Sequence, residues 1–134
     1  MKILYLLLSK YSRIKREGPS KDLFFSSQTL KKINQNNSYE KKYYFSNGKI
    51  MEKKNLHNFI NNNFIIVDKY EINNHNNITY IHYVIENGKY RFHDDLEIII
   101  FSDYIIFRSA SRVGKYDFKV NKNRIDFIIK NFFK

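Results

Sequence analysis

Cysteine and tryptophan are absent from this 134-residue chain, proline occurs only at Pro19, and alanine only at Ala110. Without thiols there is no disulfide framework, no thiolate metal site and no cysteine nucleophile. No apolar run approaches the roughly 18 residues that a bilayer crossing needs, so an ordinary transmembrane helix is excluded too. The run from Ile3 to Leu8 falls short of the apolar stretch of about 7 to 15 residues in a secretory signal, and Lys10, Arg13, Lys15 and Arg16 follow at once in place of a small-residue cleavage site. It reads as a short amphipathic or strand-like lead that, on meeting a membrane, lies on the surface with those cations as anchors. Also missing are a Walker loop, a dinucleotide fingerprint, a nucleophile elbow, an RNP-type motif, a zinc finger and a helix-turn-helix.

Acids are scarce: 13 Asp and Glu stand against 24 Lys and Arg, for a formal charge of +11. The imbalance is local. Residues 1 to 54 hold 13 cations and 4 acids, whereas residues 55 to 134 hold 11 and 9. A field of this sign attracts anionic surfaces or nucleic acid at low salt. Lysine, asparagine, isoleucine, tyrosine and phenylalanine are abundant throughout, as an AT-rich coding sequence produces, and lysine far outnumbers the bidentate-binding arginine, so compositional drift is the favoured explanation of the charge.

The length suits one compact domain, with a basic N-terminal arm over residues 1–45 wrapped on an α+β body over 46–134. Met51, Leu56, Phe59 and Ile60 recur at helical spacing and predict a first helix near 49–61. Phe64 to Ile72 and Ile78 to Glu86 are rich in β-branched and aromatic residues and predict two strands. Asn87-Gly88 predicts a two-residue turn into a third strand from Lys89 to Phe101, and Ser102-Asp103 turns it into a fourth from Tyr104 to about Ser109. Ile125, Ile128, Ile129, Phe132 and Phe133 form the apolar stripe of a closing helix near 122–133, with Asn121 as its N-cap. The expected fold is therefore a roughly four-stranded antiparallel meander with two helices on one face.

Facing positions in a hairpin sum to a constant, so tight turns fix neighbours. Around Ser102-Asp103, Ile100 faces Ile105, Ile98 faces Phe107, Leu96 faces Ser109 and Asp94 faces Ser111, all on the core side. Around Asn87-Gly88, Ile85 faces Tyr90 and Tyr83 faces Phe92. The other side carries Glu97 beside Arg108, Val84 beside Arg91, and a row of His82, His93 and Arg112. Asp94, on an apolar face, requires a cation or several donors, with Ser111 and a motif arginine as candidates.

The segment RSASRVGKYDFKVNKNR, Arg108 to Arg124, resembles the end of the family catalogued as domain of unknown function 1499, whose members close with an RSASR-[VI]-G, Asp, Asn and Arg pattern before a final helix. Phe92-His93-Asp94-Asp95 is similar to that family's F-x-D-D step. Gly18-Pro19 through Ser26-Ser27-Gln28 is similar to its CPxSPNCVSSQ entry, and the resemblance covers about residues 18 to 134. The family's two entry cysteines fall on Gly18 and Phe24, so its disulfide has no counterpart here, and Phe24 is expected to pin the arm by packing. Tyr116 and Lys119 replace a usual serine and glycine. The resemblance implies no reaction, cofactor or catalytic residue.

Asp94, Asp95, Arg108, Ser109, Ser111, Arg112, Asp117, Asn121 and Arg124 form the candidate site. One reading makes them a structural network locking the last hairpin to the final helix; another lets Arg108, Arg112 and Arg124 bind a phosphate, carboxylate or lipid headgroup, or serve an enzyme. Adjacent strand residues point to opposite faces, which places Asp94 and Asp95 poorly as an acid/base pair. His82, His93 and Asp95 raise a metal reading, weakened by Arg112 in the same row, and His57 and His75 show no ligand spacing. Tyr11, Tyr43, Tyr44 and Phe45 interleaved with basic residues give weak support to nucleic acid. The sequence is thus read as a non-enzymatic accessory or interaction domain without cofactor or metal, cytoplasmic or organelle-soluble, whose arm meets a protein or an anionic membrane surface.

Overall fold

The computed structural model describes residues 2–12, 38–45, 52–73, 77–113 and 119–133. Gly18, Pro19, Phe24, Ser26, Ser27, Gln28, His75, Tyr116 and Asp117, and the expectations placed on them, lie outside the described residues. In chain order the elements are α1 (Lys2–Ser12), β1 (Ser38–Tyr44), α2 (Lys53–Asn63), β2 (Ile65–Asn73), β3 (Thr79–Asn87), β4 (Phe92–Ile100), β5 (Tyr104–Ser111) and α3 (Val120–Phe132). The fold is α+β. Its sheet has five strands in the order β1-β5-β4-β3-β2, every neighbouring pair antiparallel.

The strand beyond the expected four is β1, in the stretch assigned above to an arm. Tyr39 and Tyr43 face the side of the sheet that carries Ser109 and Ile105, and Tyr43 stacks on Phe133 with ring centroids 4.4 Å apart. Two tyrosines suffice to seat an edge strand, while Lys41 and Lys42 are exposed. Lysine on an edge strand discourages pairing with other chains and makes the segment read as polar loop.

The β4–β5 hairpin has the expected register throughout, from Ile100↔Ile105 to Asp94↔Ser111. The β3–β4 hairpin does not. Ile85 pairs with Asp94, Val84 with Asp95 and Tyr83 with Leu96, because the connection is a four-residue loop, Gly88–Arg91, rather than a two-residue turn. Gly88 (φ 78°) and Arg91 (φ 58°) both take left-handed backbone, and the Arg91 N–H donates to the Gly88 carbonyl at 3.1 Å. Burial explains the choice: the two-residue turn would set Asp94 opposite Ile81 in the middle of the core, whereas the longer loop pairs Ile81 with Ile98. The slip is even, so each side chain keeps its expected face.

On one face α2 contributes Leu56 and Ile60, and α3 contributes Ile125 and Ile128, to a core with Ile81, Tyr83, Ile85, Leu96, Ile98, Ile105 and Phe107. Burying each such side chain is worth roughly 1.5–3 kcal/mol. A second cluster on the other face centres on Tyr80 and Ile99. Helix α3 starts at Val120 behind Lys119, whose φ is 66°; Asn121 is not the N-cap but sits buried inside the first turn.

Candidate functional site

Alternation along β4 sends Asp94 and Asp95 to opposite faces, and each finds its own arginine. On the face covered by α2 and α3, the Arg124 Nη2 donates to Asp94 Oδ2 at 2.8 Å. Its Nη1 donates to Ser109 Oγ at 2.7 Å and to Asn121 Oδ1 at 3.0 Å. The Ser109 hydroxyl donates to Asn121 Oδ1 (2.7 Å), and Asn121 Nδ2 donates to Ser111 Oγ (2.9 Å). Ser109 and Ser111 stand two apart on β5, and Asn121 and Arg124 three apart on α3, so the closed ring welds the last strand to the last helix.

On the other face, Arg112 grips Asp95 with two bonds, Nε to Oδ2 at 3.0 Å and Nη2 to Oδ1 at 2.9 Å. Its remaining Nη1 donates to the Ser12 carbonyl at the end of α1 (3.0 Å), and the His93 N–H donates to Ser12 Oγ (2.9 Å). His82 Nε2 donates to Asp95 Oδ1 at 2.6 Å, which fixes its tautomer. Further along this face Arg108 forms a buried ion pair with Glu97, whose Oε2 also accepts from the Tyr80 hydroxyl at 2.5 Å. The expected Glu97–Arg108 neighbours therefore meet. His82 and His93 do not, because the slipped register sets His93 opposite Glu86. Among the described residues no three His, Cys, Asp or Glu side chains are grouped to hold a metal ion.

Electrostatics separates the two aspartates. Burial pushes the Asp94 carboxyl up, and Arg124 only partly offsets it. Burial pushes Asp95 up as well, but hydrogen bonds from His82 and Arg112 outweigh it and hold this carboxyl below the ordinary value. Opposed shifts can mark an acid/base pair, but these two carboxylates lie across a sheet from one another. Burial also draws the Arg108 guanidinium down from its usual value.

A third cluster was not legible in the sequence. His57 on α2 contacts the buried Tyr83 hydroxyl through Nδ1 and the Glu71 carboxylate through Nε2, the latter at 2.9 Å. Lys69 Nζ stands 3.1 Å from His57 Nε2, and Lys53 Nζ is 3.6 Å from Glu71. Asn73 Nδ2 donates to Glu71 Oε2 at 3.0 Å. Burial, followed by Lys69, lowers the His57 pKa against the pull of Glu71. The only available signal was strand parity, which puts Lys69, Glu71 and Asn73 on one side of β2.

The family model described as protein of unknown function (DUF1499) matches residues 18–132. Neither the curated proteins nor the solved structures contain a match. The match spans β1 through α3 and takes in every candidate site residue.

Proposed function

The chain belongs to that family of proteins of unknown function, and on this premise we propose that it is a non-enzymatic accessory domain, its motif an internal lock and its basic N-terminal part a contact for a partner or an anionic surface. One observation carries the reading: each of the three motif arginines meets a buried carboxylate of its own, Arg124 with Asp94, Arg112 with Asp95 and Arg108 with Glu97. An external anion at any of them must displace a carboxylate already desolvated and hydrogen-bonded. Removing one partner of such a pair typically costs about 3–5 kcal/mol. The same pairing argues against the alternative, an anion-binding domain or enzyme using these arginines.

Thermal unfolding in rising inorganic phosphate, with sodium chloride matched for ionic strength, tests this. A ligand that binds only the folded state stabilises it by RT ln(1 + [L]/Kd). The accessory reading expects the two salts to act alike. Saturable stabilisation by phosphate alone, abolished by Arg112→Lys, would establish the anion-binding alternative.

A further inference from the structure

Helix α1 shows the sheet one side and the surroundings another. Leu8 is half-buried and Ser12 buried, four residues apart, and Ser12 is tied to Arg112 and to the β4 backbone. On the opposite side Ile3, Leu6, Leu7 and Lys10 follow i, i+3, i+4, i+7 spacing, the stripe that globular helices turn inward. Here it faces outward, with Ile3 74%, Leu6 50% and Leu7 61% exposed, and Leu4 beside it also 50% exposed. Lys10 closes the stripe and is exposed, and in the sequence Lys2 precedes it while Arg13, Lys15 and Arg16 follow.

We infer that α1 is a membrane-surface helix that lies in the plane of an anionic lipid bilayer, its apolar stripe in the acyl boundary and Lys10 at the headgroups. This rests on reading the chain as a binding domain and names the surface that it binds. Length and charge select the occupant. Eleven residues make a helix about 16 Å long, against a hydrocarbon core of about 30 Å, and no helix among the described residues is long and apolar enough to cross a membrane. A protein groove would need only the apolar stripe. The excess of 13 cations over 4 acids in residues 1 to 54 adds attraction that an anionic leaflet supplies over its whole area. Lysine stems also extend apolar contact while their ammonium groups stay in water. Because the Arg112–Asp95 pair holds Ser12, the sheet is carried in a fixed orientation above the surface.

The test is co-sedimentation of the full chain with phosphatidylcholine vesicles, with and without about 30% phosphatidylserine, at about 50 mM and about 200 mM salt. Binding is expected only to the anionic vesicles, weakening at least about tenfold at the higher salt. The double variant Leu6→Glu/Leu7→Glu is expected to lose about a hundredfold in affinity, since each apolar side chain withdrawn forfeits about a tenfold factor. Circular dichroism melts guard against unfolding, and these exposed positions should leave them unchanged. Equal binding by parent and variant, equal binding to both lipid compositions, or a parent dimer that the variant abolishes without vesicles would each overturn the inference, the last by assigning the stripe to a second copy. None of these results bears on the phosphate titration, so the two readings fail separately.

Discussion

Asp94 and Asp95 are chemically identical neighbours whose pKa values are displaced in opposite directions. The Asp95 carboxyl lies below its ordinary value, so its contribution to stability is in full force above the unfolded pKa and is lost as pH falls through the folded one. Asp94 lies above its ordinary value, so its contribution is in full force below the unfolded pKa and is lost as pH rises through the folded one. At neutral pH Asp95→Asn should therefore destabilise more than Asp94→Asn, and the gap should close as pH falls below about 4. Urea denaturation of both variants at neutral and acid pH measures this. That Asp94 needs a cation was legible from alternation alone, since it falls among Leu96, Ile98 and Ile100 on one face. Which arginine answers was not, because Arg124 reaches it from a helix whose angle to the sheet no local spacing encodes.

At the scale of elements, helix α2 is held partly by core packing and partly by its one histidine. With Glu71 accepting from Nε2–H, His57 Nδ1 is left to accept from Tyr83, an arrangement only neutral imidazole makes. Its lowered pKa means that this contribution is present above about 6.5, the ordinary value, and lost as pH falls through the folded one. The melting temperature of the parent should thus fall more between about pH 7.5 and about pH 5.5 than that of His57→Gln. Parallel falls would show that the helix is held by Leu56 and Ile60 alone.

Strand β1 has a different fastening. Phe133 stacks on Tyr43 and lies 5.8 Å, centroid to centroid, from Phe45. Phe133→Ala should raise amide exchange along residues 38–44 well before it affects β3 or β4, which hydrogen exchange read by mass spectrometry resolves. These two elements also mark where reading the sequence runs out. The β4–β5 register follows from a two-residue turn and a constant sum. The β3–β4 register depends on Arg91 entering left-handed backbone, which no rule of turn composition demands of an arginine. Edge strand β1 hides behind lysines, and the His57 cluster joins residues 14 and 26 positions apart.

For the molecule as a whole, the motif ties three elements together. Arg124 and Asn121 bring in α3, Arg112 brings in the end of α1, and Asp94 and Asp95 anchor both to the central strand. The sequence separations, 17 residues from Asp95 to Arg112 and 100 from Ser12 to Arg112, are long-range closures that stabilise only once the sheet has formed. A double-mutant cycle across Asp95 and Arg112, followed by urea denaturation at neutral pH, tests most directly whether the motif is an internal lock. Each single alanine variant is predicted to lose about 3–5 kcal/mol, with a pairwise coupling of about 0.5–3 kcal/mol. Single variants within about 0.5 kcal/mol of the parent and strictly additive would contradict an internal lock and leave the arginines to a ligand.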